Sequence, residues 1–171
     1  LLCQCLTSSM KKYSFLFLTL LSLFIPLQSA HAAEIYSGQT YFLNKDTIAP
    51  DNLLIVSGRA QLAGLVKGDL IILSGDVTII GQVDGDVIMA GGTLDIQDKA
   101  VVGKNIRAAS GDVHVDGQVK GSVQVFTGTF TSSGKIAGNI YADVGTFYLN
   151  GMVNGSVKVD ARNIHLDDKA F

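Results

Sequence analysis

The amino-acid sequence predicts an all-β protein, a single-stranded parallel β-helix (β-solenoid) of about 17 residues per coil and about seven coils. Three observations predict it. A glycine-bounded unit recurs as GLVKGDL at 64, GQVDGDV at 81, GQVKGSV at 117, GKIAGNI at 134 and GMVNGSV at 151, with a looser AVVGKNI at 100, and the last three begin 17 residues apart. Within each unit apolar residues fall at offsets 0, 4, 6, 11 and 13 from the first valine or isoleucine; pairs two apart mark strands with one buried face, and no helix has that spacing. Nineteen glycines, two prolines, no tryptophan and a single glutamate, Glu34, suit strands and tight turns and exclude a helical bundle.

In chain order, residues 1–9 precede Met10 and read as an upstream translation artefact, which takes both cysteines, Cys3 and Cys5, out of the folded protein. Residues 10–32 read as a secretory signal peptide: Lys11 and Lys12 form the positive end, Phe15 to Ile25 the apolar run, and Ala30-His31-Ala32 the small-x-small cleavage site. The run is too short for a spanning helix, which needs about twenty residues. The protein is therefore expected to be exported, periplasmic or associated with the cell envelope. Loss of Lys11 and Lys12 leaves eleven cations against fifteen carboxylates, a net charge of −4, with no cysteine for a disulfide or a thiolate zinc site. Such a surface has no field to hold a nucleic-acid backbone.

Residues 33–45 read as an N-terminal cap or covering segment, with Tyr41, Phe42 and Leu43 folded over the first coil, or Ile35, Tyr36, Tyr41 and Phe42 laid along a side face. Residues 46–171 read as the β-helix domain. Stacked, its coils give five inward columns. The first is Ile48, Val66, Val83, Val102, Val119, Ile136, Val153, with Ile48 one residue out of register and Ala49 able to replace it. The second runs from Leu53 to Val157, the third from Ile55 to Val159, the fourth from Ala60 to Ile164 and the fifth from Leu62 to Leu166; Ser132 is the one polar exception. Glycine columns at Gly58, Gly75, Gly92, Gly111, Gly128 and Gly145, and at Gly64, Gly81, Gly117, Gly134 and Gly151, mark corners between three short strands per coil. The coil from Val83 to Val102 is two residues longer, and Gln97 to Val101 is expected to bulge outward. The last residues, Leu166 to Phe171, echo Ile96 to Val101, so the chain is expected to stop in mid-turn, truncated at its C-terminus.

The units GQVDGDV, GQVKGSV and GMVNGSV, with IQDKAVVGKNI between them, resemble the bactofilin family of polymer-forming bacterial cytoskeletal proteins, over residues 46 to 171. The resemblance implies a right-handed, roughly triangular β-helix that polymerises through its ends without nucleotide, often at a membrane. The leader would make this chain an exported variant.

Self-assembly also follows from the architecture. Each coil satisfies its backbone through the coils above and below, so an uncapped end presents unpaired N–H and C=O groups around an apolar cross-section. The expected adhesive faces are Ile48, Leu53, Ile55, Ala60 and Leu62 at one end and Val153, Val157, Val159, Ile164 and Leu166 at the other. Outward positions Leu54, Val56, Ile71, Leu73, Ile88 and Ala90 form an apolar side stripe, to be covered by residues 35–43, a partner protein or a membrane. Asp69, Asp84 and Asp86 with Arg107 sit near a corner without the grouping a catalytic or calcium site needs, and His114 and His165 lack a partner at motif spacing. No enzyme activity, cofactor or metal is expected. The reading is a non-enzymatic, self-assembling scaffold of the bacterial cell envelope, the alternative being an envelope module that binds polysaccharide or a membrane protein along its side face.

Overall fold

The computed structural model describes residues 33–167. The stretches expected to be an upstream artefact (1–9) and a leader (10–32), and the echo of Ile96 to Val101 after Asp167, lie outside the described residues.

Each coil contributes one long and one short strand. The strands are β1 (Glu34–Leu43), β2 (Ile48–Ala49), β3 (Leu53–Leu62), β4 (Leu65–Val66), β5 (Leu70–Ile79), β6 (Gln82–Val83), β7 (Val87–Ile96), β8 (Val101–Val102), β9 (Ile106–Val115), β10 (Gln118–Val119), β11 (Val123–Ser132), β12 (Lys135–Ile136), β13 (Ile140–Leu149), β14 (Met152–Val153) and β15 (Val157–Leu166). The long strands form one eight-stranded parallel sheet in chain order, and the short strands form a second sheet of seven. The result is the β-solenoid expected from the repeat, with eight rungs rather than seven.

The three predicted strands per coil are two, because the ladder runs unbroken around one corner. In β5, Leu70, Ile72 and Ser74 face inward, Gly75 and Asp76 both face outward, and Val77 and Ile79 face inward again. Two consecutive outward residues reset the period-2 alternation, so the strand bends without losing its neighbours. The column before this corner, Ser57, Ser74, Ser110, Thr127 and Val144, was not anticipated as inward, yet Ser74, Thr127 and Val144 are buried. Its hydroxyls bond at the bend: Thr127 Oγ1 donates to the Gly111 carbonyl at 2.7 Å, and Ser74 Oγ donates to the Asp76 carbonyl at 3.2 Å.

The extra residues in the Val83 to Val102 coil form a turn, in which the Ala100 N–H donates to the Gln97 carbonyl at 2.8 Å; Asp98 and Lys99 are exposed while Ala100 returns to the core. Asn44 to Thr47 makes the same turn, closed at 2.9 Å. That turn decides the first column: Ala49 is buried and Ile48 is exposed, which corrects the expectation for Ile48.

The core is a continuous aliphatic stack holding one aromatic pair, Phe130 over Phe147 at 5.2 Å and 14°. Glycine is required where coils approach at the second corner: a Cβ on Gly134 would overlap the Gly117 carbonyl. At the bend the fit is looser, with a Cβ on Gly111 3.1 Å from the Gly92 carbonyl oxygen.

Candidate self-assembly surfaces

Toward the C-terminus β14 and β15 make up the last described rung. In β14 and β15 the inward columns finish as Val153, Val157, Val159, Ile164 and Leu166, the set expected to form that face. In the interior these columns are 0–6% exposed, but here Val157 is 37%, Ile164 52% and Leu166 53% exposed, because no described rung lies beyond them. Every second N–H and C=O of β15 faces outward beside them.

The N-terminal end differs from the expectation. Leu53, Ile55, Ala60 and Leu62 are not on an end at all; they are buried to 1% exposure or less. They lie beneath β1, which pairs in parallel with β3, Glu34 opposite Leu53, Tyr36 opposite Ile55, Tyr41 opposite Ala60 and Leu43 opposite Leu62. Residues 35–43 do not lie along the side face, as one reading of that segment had it. The segment puts Tyr36, Tyr41 and Leu43 at the inward positions of the other rungs, and a free sheet edge accepts it as a strand. Tyr36 and Tyr41 turn inward, with rings 4.7 Å apart. Burial first, then the charge of Glu34 and the neighbouring Tyr36, hold the Tyr41 phenol above its ordinary range.

The side stripe is therefore open, and Ile35 extends it by one rung. Leu54 is half-buried, and Val56, Ile71, Leu73 and Ile88 are exposed. Between Leu73 and the projecting Phe126, the small Ala90 and Ala109 leave a groove of about 1010 Å³, bounded toward the C-terminus by Tyr141, Asp143, Lys158 and Asp160.

The carboxylates near the other corner belong to a ladder that the sequence reading missed. At one position per coil a short side chain accepts the backbone N–H of its counterpart on the next: Asn52 from Asp69 (2.7 Å), Asp69 from Asp86 (2.9 Å), Asp86 from Asn105 (2.8 Å), Asn105 from Ser122 (2.9 Å), Ser122 from Asn139 (3.0 Å) and Asn139 from Ser156 (2.8 Å). The signal was a column holding only Asn, Asp and Ser. Arg107 closes on Asp86 at 3.1 Å and Lys104 lies 3.8 Å from Asp69. Burial pushes the Asp86 pKa up, but hydrogen bonds from Asn105 and Arg107 and the guanidinium charge outweigh it and hold the carboxyl below its ordinary value. These oxygens are engaged in joining coils. His165 stacks on Tyr148 at 4.7 Å, and His114 stands three coils back on the same face. No group of three or more His, Cys, Asp or Glu among the described residues could hold a metal ion.

The sequence model of a family described as polymer-forming cytoskeletal, the bactofilins, matches residues 55–158. No curated protein and no solved structure matches the chain. The matched stretch is the run of aliphatic columns and glycine corners that winds the coils from β3 to β15, and on that evidence the chain belongs to the bactofilin family.

Proposed function

We propose that this protein is a non-enzymatic, self-assembling scaffold of the bacterial cell envelope whose units join through the ends of the β-helix. One observation carries the reading: in a chain of a polymer-forming family, Val157, Ile164 and Leu166 end their columns exposed and Val153 and Val159 end theirs half-buried, beside a strand edge with no described neighbour. Joining two such ends removes apolar area from water at about 25 cal/mol per Å² and pairs the free backbone groups at the same time. A charge there opposes both. Electron microscopy and light scattering of the purified chain should show end-joined particles that Leu166→Asp abolishes; monomers at high concentration in the unsubstituted chain would refute the proposal. The envelope location rests on the leader read in residues 10–32, and fractionation of cells with an epitope placed after the β-helix tests it.

The side groove supports a second reading, a binding module that holds an envelope component, polysaccharide or membrane protein, along the rod. Its lining of Ile71, Leu73, Ile88 and Phe126 favours a partner with apolar surface. Leu73→Asp should abolish co-purification of that partner without changing end-to-end assembly.

A further inference from the structure

The two ends close the same columns with different chemistry. Toward the C-terminus the columns finish on Val157, Val159, Ile164 and Leu166; toward the N-terminus they finish on Glu34, Tyr36, Tyr41 and Leu43. A rung stacked on β1 would bury the Glu34 carboxylate beneath aliphatic side chains, a costly desolvation. The Leu43 carbonyl accepts the Ala63 N–H and so faces the next rung; carbonyls alternate along a strand, which turns that of Thr40 to the free side. The Tyr36 hydroxyl donates to that Thr40 carbonyl at 2.7 Å, its ring lying over Gly38 of its own strand. Hydroxyls bond the equivalent carbonyls of the interior rungs as well, Ser74 that of Asp76 and Thr127 that of Thr129, so the obstacle to an incoming strand is the polar column ends, Glu34, Tyr36 and Tyr41, rather than this contact. The side-chain ladder also stops here: Ala33 has no acceptor to offer, and the Asn52 N–H turns instead to Asp51 Oδ1 at 2.7 Å. Terminal repeats with polar outer faces are the general device that keeps a solenoid from stacking. Residues 34–43 also precede the stretch that the family shares, 55–158.

We infer that the Glu34–Leu43 rung is a terminator of assembly. While it is docked, copies join only through the Val157–Leu166 end, giving paired rods by an isologous contact. Indefinite growth requires this rung to be displaced, which uncovers the all-aliphatic face of Leu53, Ile55, Ala60 and Leu62. The inference rests on the end-joining reading above and adds a control to it.

The test replaces Glu34, Tyr36 and Tyr41 together by valine in the full chain, matching the aliphatic columns below, and compares assemblies at equal concentration by light scattering and negative-stain microscopy. The unsubstituted chain is expected at twice its chain mass and the triple variant as filaments at least ten-fold longer. The single variant Tyr36→Val, which a strand tolerates, should lengthen assemblies in the same direction. Long filaments from the unsubstituted chain, or unchanged assembly in the folded triple variant and in Tyr36→Val, would overturn the terminator. Leu166→Asp separates the two ideas: if it leaves pairing intact, the end-joining reading falls, whereas filaments that it abolishes and the valine variants do not lengthen remove the terminator alone.

Discussion

Two donors of Asn105, its backbone N–H at 2.8 Å and its side-chain amide at 3.0 Å, converge on a single oxygen of Asp86, Oδ1, one coil below. The other oxygen takes Arg107. One carboxylate thus ties together the backbone and two side chains of the next coil, at the place where the surplus turn interrupts the regular period. Because this environment lowers the Asp86 pKa, its contribution to stability is present above the unfolded value near 3.9 and is lost as pH falls through the folded value.

Asp86→Asn should cost about 1 kcal/mol at pH 7, since the amide keeps one acceptor but loses the attraction of Arg107, in a pair that water partly screens. The difference from the unsubstituted chain should shrink as pH falls below the unfolded value near 3.9 and vanish below the lowered folded value. Urea unfolding across that range checks it, and a pH-independent deficit would contradict the account.

Ser132 is fully buried in the fifth column, and its hydroxyl has no hydrogen-bond partner among the described residues. Ser132→Ala removes a desolvated group and leaves only a small void, so it should stabilise the fold by about 1 kcal/mol. Thermal unfolding should show a midpoint raised by about 2–4 °C.

Phe130 and Phe147 are the two bulkiest fully buried side chains and stack on one another in the core. Phe130→Ala should cost about 3–5 kcal/mol by leaving a cavity between two rigid coils, and Phe130→Leu much less. A denaturant midpoint for Phe130→Ala close to that of the unsubstituted chain would show that the coils can collapse into the gap.

The two glycine corners should respond differently to the same substitution. Gly134→Ala drives a methyl into the Gly117 carbonyl and should destabilise by about 2 kcal/mol or more, whereas Gly111→Ala, with its Cβ 3.1 Å from the Gly92 oxygen, should cost less than about 1 kcal/mol. Equal losses in chemical denaturation would argue against carbonyl contact as the cause.

Tyr41 links the terminal rung to alkaline pH. Its raised pKa means that docking of β1 is at full strength below the unfolded value near 10 and weakens as pH rises through the folded one. Amide exchange of residues 34–43 should accelerate above pH 10 beyond the intrinsic increase, and Tyr41→Phe should remove the excess.

The solenoid was readable because its information is local and repeated. A side chain's inward or outward direction follows from period 2 within one strand, and a 17-residue echo fixes where the next coil begins; the aliphatic columns and both glycine corners needed nothing more. Ile48 was misplaced because the turn at Asn44–Thr47 is recognisable only beside its twin at Gln97–Ala100. The ladder through Asp69, Asp86 and Asn105 was visible as a column of short polar residues, but its role required the backbone of one coil to stand within 3 Å of a side chain on another.

The sequence by itself determined the coil, its period, its core and its family, since all of these rest on alternation that each unit states anew. Only the tertiary structure decided which described rung comes first. Whether Leu53 is an end or an interior residue depends on another strand lying above it, a fact of stacking between segments 19 residues apart that no pattern within a single coil encodes. The same physics leaves Leu62, with β1 above it, 1% exposed and Leu166, with no described rung beyond it, 53% exposed in one column.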